Sequence, residues 1–161
     1  MATNTRDEFS RPTPLERLFN RLFGRIVGSG LGLHHNYLLE VTGRKSGKLF
    51  ATPIDLLILD ERKFLVCPRG RSQWVRNAEA SGHVWLKRGA TRVYYAIRPV
   101  PAADKPALLR AYLTRFKLTV RRYFPVPVHA PVSDFVPIAN RYPVFELIAS
   151  VTAGDSNGGS A

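Results

Sequence analysis

The chain has 161 residues, 45% of them apolar, which suffices for one domain with a hydrophobic core and is short for two. Lysine and arginine number 24 against 12 acidic residues; the net charge of +12 is spread along the chain, which favours an anionic partner and excludes a separate basic tail. Cys67 is the only cysteine, so an internal disulfide and a cysteine-rich metal site are both excluded.

Residues 1–13 are polar, lack the apolar core of a signal peptide, and are expected to form a flexible N-terminus. From Pro14 onward Leu15, Leu18, Phe19, Leu22, Phe23 and Ile26 recur at three- and four-residue spacing, while Arg17, Arg21 and Arg25 share another face. This predicts an amphipathic helix, ended by the glycines of GSGLG at 28–32. Its apolar stripe is expected to cover the domain's own core, with peripheral contact to an anionic membrane as the competing reading. No run approaches the ~20 apolar residues of a spanning helix. The expectation is a cytoplasmic protein, with membrane association entering only through this N-terminal helix.

YLLEVT (37–42), TPIDLLIL (52–59) and FLVCP (64–68) carry strand chemistry, the last two joined as a hairpin by DERK at 60–63. HVWLK (83–87) and TRVYYAIRPV (91–100) form a second pair around Arg88, Gly89 and Ala90, and PVFELI (143–148) adds a last strand. Six strands in mostly hairpin order predict a mainly β, α+β domain, either an antiparallel sheet or a small barrel, because parallel pairs need long crossovers. Two helices interrupt it. QWVRNAEAS (73–81) is short; the longer begins at Asp104 as N-cap and carries Leu108, Leu109, Tyr112, Leu113 and Phe116 on one stripe. RFKLTVRRYF (115–124) interleaves cations with aromatics, but its spacing fits a helix packed on the sheet, so no nucleic-acid partner is expected. Residues 153–161 read as a flexible tail, leaving 14–152 as a single domain.

Two basic constellations stand out. In TGRKSGKLFATP (42–53), Gly43 and Gly47-Lys48 are separated by three residues and followed by Leu49, whereas a Walker A loop needs four and then Ser or Thr; nucleotide triphosphate hydrolysis is excluded on that ground. What the segment offers is Arg44, Lys45 and the Ser46 hydroxyl beside a glycine-hinged turn, with backbone N–H groups pointing at one anion; a solvated hairpin loop is the competing reading. In PRGRSQWVRN (68–77), Arg69, Gly70 and Arg71 end a strand, and Trp74 and Asn77 lie three apart on the following helix. An anion beside a helix N-terminus with an aromatic wall fits that pattern, against Trp74 as a core anchor. GSGLG follows a helix, the reverse of Rossmann order. No Gly-x-Ser-x-Gly elbow occurs, and His34, His35, His83 and His129 lack metal-ligand spacing, so no metal is expected.

With both constellations in view, the chain resembles the deazaflavin-dependent nitroreductase family of the split β-barrel flavin and deazaflavin oxidoreductases. LLEVTGRKSGKLFATPIDLL, PRGRSQWVRNAEASG and HVWLKRG carry the resemblance. It implies an antiparallel split β-barrel with packed helices, and coenzyme F420 ahead of FMN as cofactor. It sets Arg44, Lys45 and Ser46 at the phosphate or acidic tail and Thr52, Pro53 and Ile54 beside the deazaflavin ring. Arg69, Gly70, Arg71, Trp74 and Asn77 fall on the cofactor's other side. The implied activity passes a hydride from reduced F420 to a small electrophile, such as a quinone, a nitroaromatic or an activated alkene; a non-catalytic binder of a deazaflavin, flavin or apolar ligand is the alternative. A homodimer is a further implication. Tyr112, Tyr123 and Tyr142 are candidate proton donors, with packing as their plainer role. Two departures stand out: Phe50 occupies a position where this family often has a cation, and the loop before Trp74 is short.

Overall fold

The computed structural model describes residues 36–150. The predicted helix over Leu15–Ile26, the GSGLG run, His34, His35 and the C-terminal tail lie outside the described residues.

Seven strands form one sheet: β1 (Asn36–Thr42), β2 (Leu49–Asp55), β3 (Leu57–Leu59), β4 (Arg62–Val66), β5 (His83–Arg88), β6 (Thr91–Pro99) and β7 (Val144–Ala149). Their order is β2-β1-β5-β6-β7-β4-β3, and every neighbouring pair is antiparallel. Only Leu56 separates β2 from β3, yet these two strands stand at opposite ends of that order. Laid flat, seven strands would hold their edges about 29 Å apart, whereas one residue spans at most ~3.6 Å. The sheet therefore curls until its edges meet at Leu56, which gives the antiparallel split barrel expected from the sequence. TPIDLLIL, expected as one strand, is two: its first half pairs with β1 and its second with β4.

The alternation of side chains along the strands builds two cores. Leu65 and Cys67 face the barrel interior with Leu39, Val84, Leu86 and Phe145. Phe64, Val66 and Val144 face outward into a second cluster, under a helical layer. That layer comprises α2 (Lys105–Arg115), α3 (Lys117–Val120), α4 (Val132–Phe135) and two 3₁₀ turns, Arg121–Tyr123 and Ala139–Arg141; α1 (Gln73–Ser81) precedes β5. Leu109, Tyr112, Leu113 and Phe116 are buried at their predicted spacing, and Leu108 packs partly buried against them. Asp104 holds the predicted N-cap position but makes no side-chain cap bond; Pro106, in the first turn, suits a position where no N–H partner is needed.

The β3–β4 turn is tighter than the four residues expected. Leu59 pairs with Arg62, so Asp60 and Glu61 alone reverse the chain, at φ 48° and 63°. That is the double left-handed geometry of a type I′ turn, which favours Asn-Gly.

Candidate functional site

The loop after β1 closes as a continuation of the β1–β2 hairpin. The Gly43 N–H donates to the Lys48 carbonyl at 2.8 Å, the Gly47 N–H to the Gly43 carbonyl at 2.9 Å, and the Lys48 N–H to Ser46 Oγ at 3.3 Å. Gly47 sits at φ 66°, a left-handed position open to glycine. Gly43 is required for a different reason: a Cβ there would lie 2.5 Å from Phe50 Cε2 and 2.8 Å from Ser46 Oγ. Phe50 thus packs its ring against Gly43.

The loop is also tied to α1. The Arg44 backbone N–H donates to Asn77 Oδ1 at 3.2 Å, and Arg44 Nη1 donates to the same oxygen at 2.8 Å and to Gln73 Oε1 at 3.0 Å. Gln73 and Asn77 are four apart, one turn of helix, so a single face of α1 receives the arginine. Asn77 is buried. Two residues that the resemblance sets on different sides of a cofactor are therefore bonded directly. Of the backbone N–H groups in the expected nest, those of Gly43, Arg44, Gly47 and Lys48 are bonded within the protein. The loop presents side-chain cations: Arg44, Lys45 and Lys48 are all exposed.

Thr52, Pro53 and Ile54 are half-buried on β2, opposite Leu39, Leu38 and Tyr37 of β1. β2 ends the strand order, and Pro53, with no N–H to give, suits such an edge. Trp74 and Ile54 both pack, partly buried, against the barrel-interior cluster, with the Trp74 ring 6.3 Å from that of Phe145. The structure so brings Ile54, Trp74, Arg44 and Asn77 onto adjoining elements, β2, α1 and the loop between β1 and β2.

Arg69, Gly70 and Arg71 diverge. Gly70, at φ 76°, makes the tight turn out of β4, with its N–H on the Cys67 carbonyl at 3.2 Å and its carbonyl accepting from the Ser72 N–H at 2.8 Å. The Arg69 guanidinium lies over the Tyr123 ring at 5.6 Å, and Arg71 pairs with Glu79 of α1 at 2.5 Å. Burial pushes the Cys67 thiol up, against the lowering effect of its contact with Ser72 Oγ at 3.3 Å.

The three tyrosines separate clearly. Tyr112 is buried in the outer cluster, where desolvation first and the Asp55 carboxylate second raise its phenol well above the ordinary range. Tyr142 donates its hydroxyl to the Tyr123 carbonyl at 2.8 Å, a structural bond. Tyr123 is half-buried and its hydroxyl accepts from Arg122 Nη2 at 2.6 Å. Gln73 is the residue that sequence reasoning missed; its four-residue spacing from Asn77 was the available signal.

Residues 15–127 match the F420H(2)-dependent quinone reductase family, more than two-thirds of the chain and both basic constellations. The chain belongs to this family. Coenzyme F420 is accordingly the cofactor of the reductase family in which it falls. No curated protein is significantly similar to this family member. Among solved structures, a protein of unknown function from Agrobacterium tumefaciens shares the fold at TM-score 0.54 and 14% identity; the match covers 86% of this reductase-family chain and 58% of the other. An F420-H2 dependent reductase is similar at TM-score 0.47 and 16% identity, covering 72% and 99%. The haem storage protein HutZ from Vibrio cholerae is similar at 0.48 and 10%, covering 88% and 92%.

The donor set fits a polyanionic cofactor. The 42–48 loop carries three cations and no acid; on its neighbouring elements Glu40 is paired with Arg92 at 2.5 Å, Glu79 with Arg71, and Asp55 accepts from the Thr119 hydroxyl. Positive charge on the loop is therefore left for an external anion.

Proposed function

We propose that this protein binds coenzyme F420 with its phosphate and acidic tail on the 42–48 loop and its ring along β2, and reduces a small electrophile such as a quinone, a nitroaromatic or an activated alkene. The observation that carries the reading is the Arg44 clamp. By holding one guanidinium nitrogen on Gln73 and Asn77, the protein fixes the arginine while its remaining N–H groups stay available for a phosphate or carboxylate. Lys45 and Lys48 add charge on the same loop, and the Ser46 hydroxyl adds a donor. When bound, the deazaflavin supplies the hydride. The half-buried edge formed by Thr52, Pro53 and Ile54, with Trp74 on α1, would orient the ring and exclude water from one face.

Fluorescence titration of the Arg44→Ala, Lys45→Ala double variant tests this placement. Loss of two charge-assisted contacts is expected to weaken F420 roughly 100-fold, with a much smaller loss for FMN, which has no acidic tail. Equal losses for the two cofactors would contradict the assignment of the tail to this loop.

A further inference from the structure

Between the sheet and the start of α2 lies a cavity that the proposed redox site does not use. Strand register sets its floor: Glu146 on β7 stands opposite Phe64 of β4 on one side and Arg98 of β6 on the other, and Arg62 lies two residues before Phe64, on the same face. Beside that row the chain runs from Pro99 through Asp104 into α2, and the two enclose an open cavity of about 590 Å³. Buried Phe64 and Val100 and half-buried Leu108 give it apolar walls, while Arg62, Arg98, Asp104 and Glu146 supply its charge.

Those four charges fall into a closed pair and an open one. Glu146, with 9% of its side chain exposed, takes Arg62 on both carboxylate oxygens, Nε at 2.7 Å and Nη2 at 2.9 Å, so these two charges cancel across a two-bond contact. Arg98 gives the same carboxylate Nη2 alone, at 2.5 Å, which holds its guanidinium while the Nε and Nη1 edge lies off that carboxylate. Asp104 is exposed and makes no side-chain cap bond to α2. Both Asp104 and Asp60 of the β3–β4 turn act on the charge of Arg62, but Asp60 does not line the cavity. What the cavity presents is therefore one cation, Arg98, and one anion, Asp104, beside apolar walls.

We propose that this cavity binds a small zwitterion with an apolar body, an apolar amino acid or a short apolar peptide with free ends, its carboxylate on Arg98, its ammonium on Asp104 and its side chains against Phe64, Val100 and Leu108. The volume is that of an ordinary small-molecule site, and a guanidinium already held in place is the natural receptor for a carboxylate. Ligands of one sign fit less well. A monocarboxylate matches Arg98 and leaves Asp104 unmatched, a dianion meets the Asp104 carboxylate with its second charge, and an amine without an acid leaves Arg98 unmatched. The walls come from β4, β6, β7 and α2, whereas the cations of the proposed cofactor site stand on the loop between β1 and β2.

The test uses the full chain, isotopically labelled for amide NMR, titrated with phenylalanine and with leucyl-leucine. Saturable shifts of the Val100 and Leu108 amides, with those of Arg44 and Asn77 unmoved, are expected for at least one of the two. For the ligand that binds, capping the amine by acetylation or the acid by amidation should each weaken binding at least roughly threefold, the usual scale for one exposed ion pair. Two variants then exchange these preferences. Arg98→Gln should weaken the zwitterion and leave the amidated form unaffected; Asp104→Asn should weaken the zwitterion and leave the acetylated form unaffected. Each variant spares one ligand, so damage to the fold cannot imitate the pattern. Absence of saturable shifts at Val100 and Leu108 with both ligands, equal binding of the zwitterion and its capped forms, or a variant that weakens all three forms alike would each overturn the proposal.

Discussion

Asn77→Ala removes one oxygen and with it two hydrogen bonds, from the Arg44 backbone N–H and from Arg44 Nη1. Asn77 is 7% exposed, so water replaces the lost acceptor poorly. Loss of a bond to a charged group plus an unmatched amide should destabilise the fold by about 2 kcal/mol, and for a chain of this size that lowers the melting temperature by about 4–8 °C. Arg44 would also lose its fixed position, so F420 should bind roughly tenfold more weakly. Asn77→Asp separates the two effects. It keeps the acceptor and places a carboxylate against the guanidinium, so the melting temperature should stay near that of the parent while F420 affinity falls, because the loop has lost a unit of positive charge. Thermal melts and fluorescence titrations of both variants decide. If Asn77→Ala melts within a degree of the parent and binds F420 unchanged, the clamp has neither the structural nor the functional role assigned to it.

Gly43→Ala should destabilise by roughly 1–3 kcal/mol, since the new methyl would meet the Phe50 ring at 2.5 Å; adding Phe50→Ala should restore part of the loss in chemical denaturation. Glu61→Gly should stabilise by about 0.5–1 kcal/mol, because Glu61 occupies a left-handed position at φ 63°; an unchanged denaturation midpoint would refute strain there. The Glu146 carboxyl, gripped by Arg62 at 2.7 Å and Arg98 at 2.5 Å, is held down from an ordinary 4.5 to about 2. Its folded-state value lies below the unfolded one, so its contribution is complete above pH 4.5 and is lost as the pH falls toward 2. Glu146→Gln should flatten that part of the acid stability curve.

Most of the fold was legible because local chemistry and burial agree. The YLLEVT, HVWLK and PVFELI strands fall within a residue or two of their expected limits, and α1 spans the residues its pattern predicts. The corner at Leu56 was not legible. Leu56 and Leu57 are both fully buried, one facing the barrel interior and the other the helical layer, so the run reads as one continuous apolar strand. The helical stretch past Phe116 was equally obscure beyond residue 124, since its four-residue helices and 3₁₀ turns are too short to show a period. At the site, the residue types and their glycine spacing were visible, but the bond between Arg44 and Asn77 joins residues 33 apart and depends on how the sheet curls. Arg71 illustrates the same limit: its partner, Glu79, is eight residues on, in the second half of α1.

The proposed activity, F420-dependent reduction, is tested most directly by titration with reduced coenzyme F420 by fluorescence, followed by addition of menadione to the complex. Micromolar or tighter binding, then return of the oxidised cofactor's fluorescence at a rate set by the protein, is the expected result. Binding without oxidation would leave a carrier of the cofactor, and absence of binding would contradict the account at its base.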